Sequence, residues 1–528
     1  MDSVVIQTDR IVIVGAGLGG LYAALSLAPR PVLMISPETL GTGASSAWAQ
    51  GGVAAAIEAP DSPAAHARDT VRAGAGTVDP DVAARVTAAA ADHIAGLSAL
   101  GTPFDRDAEG HYVLSREAAH SMARVVRVQG DQAGHQIMRT LIDTVRATPS
   151  IQVIEGAMAT TLEASGGAVT GVRVQSSADG GSEEICIRAP AVLLAGGGSA
   201  GLYALTTNPP RVRGQVIGMA ARAGAMISDA EFVQFHPTAI DTGEDPAPLA
   251  TEALRGEGAI LVNRHGTRFM LDAHPDAELA PRDVVARAIF AQAQAGNRPM
   301  LDTRAALGAR IKTQFPAVAS ACARAGIDPE VDPIPVSAAA HYHMGGIDTD
   351  ARGRASLDGL WVCGEASATG LHGANRLASN GLLEALVYAR TAAQDICDTR
   401  PAPAGDAPGA APLAISFAPG GELPDPALVA ELRRTMTAHV GVTRTESGLM
   451  QALQRIAAIE AQQPTCATLL NMTATATIIS ASALVRRESR GGHWREDFPH
   501  ADPALAHRSH MTLQEALALR ARAVEESQ

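Results

Sequence analysis

Lysine is almost missing from this chain: Lys312, in the context ARIKTQF, is the single one in 528 residues. That scarcity argues against two large enzyme classes, because pyridoxal-phosphate enzymes need a Schiff-base lysine and phosphate-loop NTPases need Gly-Lys-Ser/Thr closing a glycine-rich loop. Cysteine is sparse too. Cys186, Cys322, Cys363, Cys397 and Cys466 are odd in number, scattered and without a Cys-x-x-Cys pair, which disfavours a disulfide scaffold and a Cys-rich metal site. Aromatic residues make up only 3% against 46% hydrophobic residues, so the apolar content is mostly Ala, Val and Leu, a globular composition. No uninterrupted apolar run approaches the roughly 18 residues needed to cross a bilayer. There is no Lys/Arg-rich run, and 42 basic residues against 55 acidic ones leave a net charge of −13, which argues against nucleic acid as a partner. The opening MDSVVIQTDRIVIVGAG lacks the basic flank, apolar core and cleavage site of a secretory signal, so the expected setting is cytoplasmic, with no membrane association of its own.

The length suits two or three domains. Residues 10–27 read as strand, glycine turn and helix, and VLMIS at 32–36 as the next strand, a β-α-β unit that builds a parallel sheet. DVAARVTAAAADHIAGLSAL reads as helical, IQVIEGA, VTGVRVQ and EICIRA as short strands, and AVLLAGGG at 191–198 as a buried strand ending in glycines. From about Phe235 to His343 the pattern is irregular and rich in His, Arg and Pro, with one clear helix after Asp283, which suggests an inserted domain. The resulting expectation is α/β: a Rossmann-like domain from 1–235 and 344–400, an inserted α+β capping domain at 236–343, a Pro/Ala/Gly-rich linker at 401–418, and a C-terminal helical bundle at 419–528.

Gly15-Ala16-Gly17-Leu18-Gly19-Gly20 follows the strand IVIV and opens a helix, the setting in which glycines let the backbone approach a pyrophosphate at the helix N-terminus. The second strand ends in Ser36-Pro37, with Glu38 only beyond it, which weakens NAD as the ligand. The Ala195–Gly198 run and Gly364-Glu365 after a late strand favour FAD, with Glu365 placed to bind the ribityl chain. Six further segments combine His, Arg, Thr and Glu: SREAAHS, QFHPT, TEALRGEGA, APRDVVAR, AAHYHMGG and GLHGANRLASNGLLEA. For any single residue a surface ion pair or core histidine is the plainer reading. Together they ask for an anionic substrate, since guanidinium groups bind carboxylates bidentately.

QFHPT, TEALRGEG, PRDVVAR, HYHMGG and GLHGANRLASN, with ESRGGHWREDFP near the C-terminus, resemble the succinate dehydrogenase and fumarate reductase flavoprotein family across essentially the whole chain. Within it, Arg116-Glu117 followed by His120-Ser121 is similar to the Arg-Glu-x-x-His-Ser of the aspartate-oxidising branch. The resemblance implies FAD held by Gly15, Ala16, Gly17, Leu18, Gly19 and Gly20, by Ser36, and by Gly43, Ala44, Ser45, Ser46, Ala49, Gln50, Gly51 and Gly52. It adds Gly197, Gln215, Glu365, Gly381 and Leu382. Ser45 stands where flavinylated relatives carry a histidine, so FAD is expected to be non-covalent. Gln215 replaces a family carboxylate, Gly381 a serine, and Ala118-Ala119 two glycines.

The implied chemistry is oxidation of L-aspartate to iminosuccinate, with electrons passing to oxygen, giving hydrogen peroxide, or to fumarate. Iminosuccinate would feed quinolinate and NAD synthesis, with quinolinate synthase as a functional partner and this chain a monomer. His341 with Arg376 is expected to hold one carboxylate and His236 with Thr251 the other, while Glu117 faces the amino group. Arg282 carries the family's proton-transfer role, or alternatively stabilises negative charge. A soluble fumarate reductase, a succinate dehydrogenase-type subunit and a catalytically silent flavoprotein are the competing readings.

Overall fold

The computed structural model describes residues 4–178, 181–401 and 411–526, so residues 402–410 of the expected linker lie outside it. A parallel five-stranded sheet runs in the order Leu360–Val362, Val192–Leu194, Ile11–Val14, Val32–Ser36, Ile151–Glu155. Ile11, Val12 and Ile13 are completely inaccessible. Burial on both faces is why this strand is an unbroken apolar run, and each such side chain contributes about 1.5–3 kcal/mol. The helix Leu18–Leu27 packs on this sheet beside the long helix Asn380–Thr399.

The chain leaves this layer on the strand Val233–Ile240 and returns on Ile334–His343, and these two strands pair antiparallel. Met300–Asp302 and Ile260–Val262 extend their sheet, and the helix Arg282–Gln294 lies across both long strands. The fold is thus α/β, a Rossmann-like layer with an inserted α+β part and C-terminal helices Pro426–His439, Glu446–Gln462, Ala467–Val485 and Leu513–Glu525. Strand His510–Met511 pairs with Ile227–Ser228 and stitches the C-terminal part to the rest.

Two elements differ from the sequence expectation. DVAARVTAAAADHIAGLSAL forms two helices, Pro80–Ala88 and Ala90–Ala99, the first capped by Asp79; no local residue marks the break at Ala89. Ala467–Val485 is long and apolar enough to cross a membrane by length and composition, at a mean hydropathy of 1.4 over 18 residues, yet 83% of that stretch is buried. It packs on the helix Gln215–Arg222, where Thr475 Oγ1 donates to the Gly214 carbonyl at 2.8 Å. It is the core helix of the C-terminal part.

Candidate active site

Gly15 ends the central strand with φ +107°, and a Cβ there would stand 2.4 Å from the Ala195 carbonyl oxygen. Only glycine makes that turn. The helix that follows opens at Gly17 with no side-chain cap and no acidic residue in its first turn, so its N-terminus offers N–H groups and a positive dipole end to an anion. From this turn a cavity of about 980 Å³ runs to Arg376.

Every residue expected to hold FAD lines that cavity except Gly20. Gly20 is a correction: a Cβ there would meet the Gly15 carbonyl at 2.1 Å, so its smallness seats the helix on the turn. Gln215 lines the cavity but its amide is engaged, donating to the Thr468 carbonyl at 3.2 Å and accepting from Asn471 Nδ2 at 3.4 Å. Ser45 Oγ donates to Asn208 Oδ1 at 3.1 Å. Glu365 is half-buried on the cavity wall, accepts from the His343 N–H at 3.0 Å, and is pushed by desolvation up to about 7. Gln50 Oε1 is buried without a partner on the cavity wall. A helix N-terminus whose Leu18 N–H meets only the Ser46 hydroxyl, at 3.2 Å, a carboxyl able to exchange hydrogen bonds with hydroxyls, and an unpaired amide oxygen fit a dinucleotide carrying a ribityl chain. The sequence reading passed over Glu38, which also lines the cavity and accepts from Arg211 Nε at 2.6 Å.

The six expected substrate and catalytic residues, Glu117, His236, Thr251, Arg282, His341 and Arg376, converge at the other end. Strand Val233–Ile240 turns His236 inward; its Nδ1 accepts from the Thr238 N–H at 3.2 Å, which leaves the proton on Nε2 facing the cavity. His341 lies against it with ring centroids 5.0 Å apart, and the Thr207 hydroxyl sits 2.8 Å from its Nδ1. Burial, with Arg282 against His236 and Arg376 against His341, holds both imidazoles well below their ordinary value, so they serve as neutral donors at neutral pH. Burial, with Arg282 nearby, lowers Arg376 to about 10; it stays charged.

Gln234, absent from the expected set, joins the two arginines: its Oε1 accepts from Arg282 Nη1 at 3.0 Å and Arg376 Nη2 at 3.2 Å. Its two-residue spacing from His236 on one strand was the available signal. Glu252, also missed, pairs with Arg282 and lies 3.7 Å from Arg255. Burial opposes its ionisation, but Arg282 and Arg255 outweigh that and keep it below its ordinary value. Glu117 accepts from Ser379 Oγ at 2.9 Å. His120 and Ser121 stand behind it: His120 Nε2 donates to the Ala378 carbonyl at 3.0 Å and Ser121 Oγ to Asp69 Oδ2 at 2.6 Å. They pin the loop that presents Glu117. His343, next to the site in sequence, is a satisfied core histidine between Ser199 Oγ and the Ala230 carbonyl.

Residues 10–382 match the family model described as FAD binding domain, and 464–526 that described as fumarate reductase flavoprotein C-term. The L-aspartate oxidase of Caulobacter vibrioides is 53% identical over 93% of this chain and 94% of that one; the Agrobacterium fabrum L-aspartate oxidase is 44% identical over 97% and 95%. Among solved structures, an E. coli quinol fumarate reductase chain superposes with a TM-score of 0.84 at 28% identity, covering 95% of this chain and 93% of its own. A quinol-fumarate reductase solved with menaquinol gives 0.83 at 29%, with 94% of each covered. FAD is the cofactor, and the chain belongs to the L-aspartate oxidase family within the fumarate reductase-type flavoproteins.

Proposed function

We propose that this protein oxidises L-aspartate to iminosuccinate at the convergence of Glu117, His236, Thr251, Arg282, His341 and Arg376. The carrying observation is charge placement: two buried arginines held by one neutral carboxamide oxygen, with a buried carboxylate facing them, suit a dicarboxylate that also bears an ammonium. His341 with Arg376 holds one carboxylate, and His236 with Thr251 the other. Glu117 pairs with the ammonium and is the group positioned to take its proton.

FAD, when bound, accepts the two electrons leaving the substrate Cα and passes them on to oxygen, giving hydrogen peroxide, or to fumarate. The protein side of the reaction is positioning. Fixing Cα in one orientation makes the transfer effectively intramolecular, which supplies several kcal/mol of barrier lowering. Arg282, charged and paired with Glu252, either relays a proton or stabilises negative charge on the substrate carboxylate. The same constellation supports reduction of fumarate, and the likeness to quinol fumarate reductases favours that as the second reading.

Residues 1–235 with 344–400 form the FAD-binding part in this proposal, 236–343 the cap and 419–528 the C-terminal support. The setting is the cytoplasm, the protein is a monomer, and iminosuccinate passes to quinolinate synthase on the way to NAD. The testing experiment is anaerobic addition of L-aspartate to the yellow protein. Bleaching of the flavin band, then its return on admitting air with release of peroxide, is the expected sequence; a flavin that stays oxidised under L-aspartate rejects the assignment.

FAD is bound non-covalently in this reading, because Ser45 offers a hydroxyl to Asn208 where a covalent link needs an imidazole. Acid precipitation is therefore expected to release all the flavin into the supernatant, and a yellow pellet after washing would refute it.

A further inference from the structure

The motif ESRGGHWREDFP, residues 488–499, lies outside the cavity and is used by none of the chemistry above. It is nevertheless held rigidly. Arg490 makes two hydrogen bonds of 2.8 Å to Glu488, and Arg495 two of 2.7 Å to Asp497. His493 donates to the Arg486 carbonyl at 3.1 Å and accepts from Arg444 Nη1 at 2.8 Å. A loop fixed by that many charge-assisted bonds keeps one shape.

Its inner edge touches three segments that carry the site. The Gly492 N–H donates to the Ala374 carbonyl at 2.7 Å, two residues before Arg376. A Cβ on Gly492 would lie 2.7 Å from the Val233 carbonyl, next to Gln234. On the helix that begins at Arg282, Arg287 donates Nη1 to the Gly491 carbonyl at 3.2 Å, and its guanidinium stacks 4.4 Å from the Trp494 ring centroid.

From Arg287 an unbroken chain of polar contacts runs inward. Arg287 pairs with Asp283 at 2.9 Å, and Asp283 Oδ1 accepts from Asn375 Nδ2 at 3.2 Å. Asn375 Oδ1 accepts from Gln234 Nε2 at 3.0 Å, and Gln234 Oε1 holds both Arg282 and Arg376. The two guanidinium groups therefore meet at one oxygen whose position is set, through four side chains, by the C-terminal loop.

We propose that Arg287 and Trp494 are positioning residues that align Arg282 and Arg376 from outside the active site. The inference rests on the reading of those two arginines as substrate-contacting groups. The stack and the bond to Gly491 hold the Arg282 helix in one register against the loop. Loosening them lets that helix slide, which opens the angle between the two guanidinium groups without removing either. A misplacement of about 1 Å at a reacting centre lowers turnover by as much as a hundredfold.

The test uses the FAD-loaded full-length enzyme with Arg287→Ala, Trp494→Ala and Trp494→Phe, measuring L-aspartate oxidation, flavin content and Tm. Arg287→Ala and Trp494→Ala are expected to lower kcat and kcat/KM together by roughly ten- to a hundredfold, with KM, flavin content and Tm close to the parent. Trp494→Phe keeps a ring under the guanidinium and should recover most of the activity. The proposal is overturned if Arg287→Ala keeps kcat near the parent value, if the losses follow flavin content or Tm, or if Trp494→Phe is as poor as Trp494→Ala. Arg282→Ala run in parallel separates the two layers: an active Arg282→Ala sinks the reading of the site itself, whereas an inactive one beside a normal Arg287→Ala sinks only the positioning role.

Discussion

Replacing Arg376 or Arg282 by alanine is expected to lower kcat/KM for L-aspartate by well over tenfold while leaving the flavin absorbance spectrum unchanged. Arg376 is 7% exposed and lines the cavity, and the acceptor that holds it, Gln234 Oε1, is neutral, so its charge is left for an incoming carboxylate. Removing one side of a buried, charged hydrogen-bonded pair costs about 2–5 kcal/mol, or roughly thirtyfold at the low end. Arg282→Ala carries a second cost, because Glu252 loses the nearer of its two cations and its carboxyl pKa rises. A companion Arg282→Lys keeps the charge without the planar fork and should remain severely impaired. Kinetics with the flavin spectrum as a control decide the matter: near-normal kcat/KM in either alanine variant would remove that residue from the site.

Much of this arrangement is legible in the sequence, for identifiable reasons. The strand Ile11–Val14 and helix Leu18–Leu27 announce themselves because a doubly buried strand must be apolar throughout and a pyrophosphate turn must be glycine-rich. The paired strands Val233–Ile240 and Ile334–His343 each carry one of the quoted histidine motifs, so the segments that meet in space stood out as local patterns. The failures have equally physical causes. Ala467–Val485 is buried around its whole circumference, so it has no amphipathic period, and its interspersed threonines and serines hide it from a search for apolar runs. Gln234 and Glu252 are uncharged or paired residues whose role comes from what they bridge across distant segments; spacing hints that Gln234 sits near His236 but says nothing of the two arginines it joins. Gln215 reads as a cofactor ligand in place of a family carboxylate, yet its amide ties the cavity wall to the C-terminal helix, a role visible only once that helix is in place.

Glu117→Gln is expected to separate the oxidation of L-aspartate from the reduction of fumarate. The carboxylate is 4% exposed, accepts from Ser379 at 2.9 Å, and lies so close to Gly51 that a Cβ there would approach its Oε1 to 2.4 Å. Burial, then the charge of Glu252, raise its pKa above the ordinary glutamate value, although Arg282, Ser379 and Arg376 oppose the rise. An arriving ammonium reverses that balance, because a cation in contact stabilises the ionised form. Productive binding of aspartate therefore needs Glu117 deprotonated, so kcat/KM for aspartate should climb with pH through its raised pKa. Fumarate has no ammonium, and its reduction should lack that acid limb. The carboxamide of glutamine keeps the shape and can still accept from Ser379, but cannot pair with a cation. The buried ion pair it removes corresponds to about 2–5 kcal/mol, a loss of roughly thirtyfold or more for aspartate, with fumarate reduction spared or improved. The sign for stability is the opposite of that for activity: a carboxyl whose folded pKa is raised stabilises the fold only while protonated and loses that contribution as pH rises, so Glu117→Gln should be no less stable than the parent at neutral pH. Equal losses in the two reactions, or an acid limb that survives the substitution, would assign Glu117 a purely structural role and remove the main physical reason for choosing aspartate over its deaminated relatives.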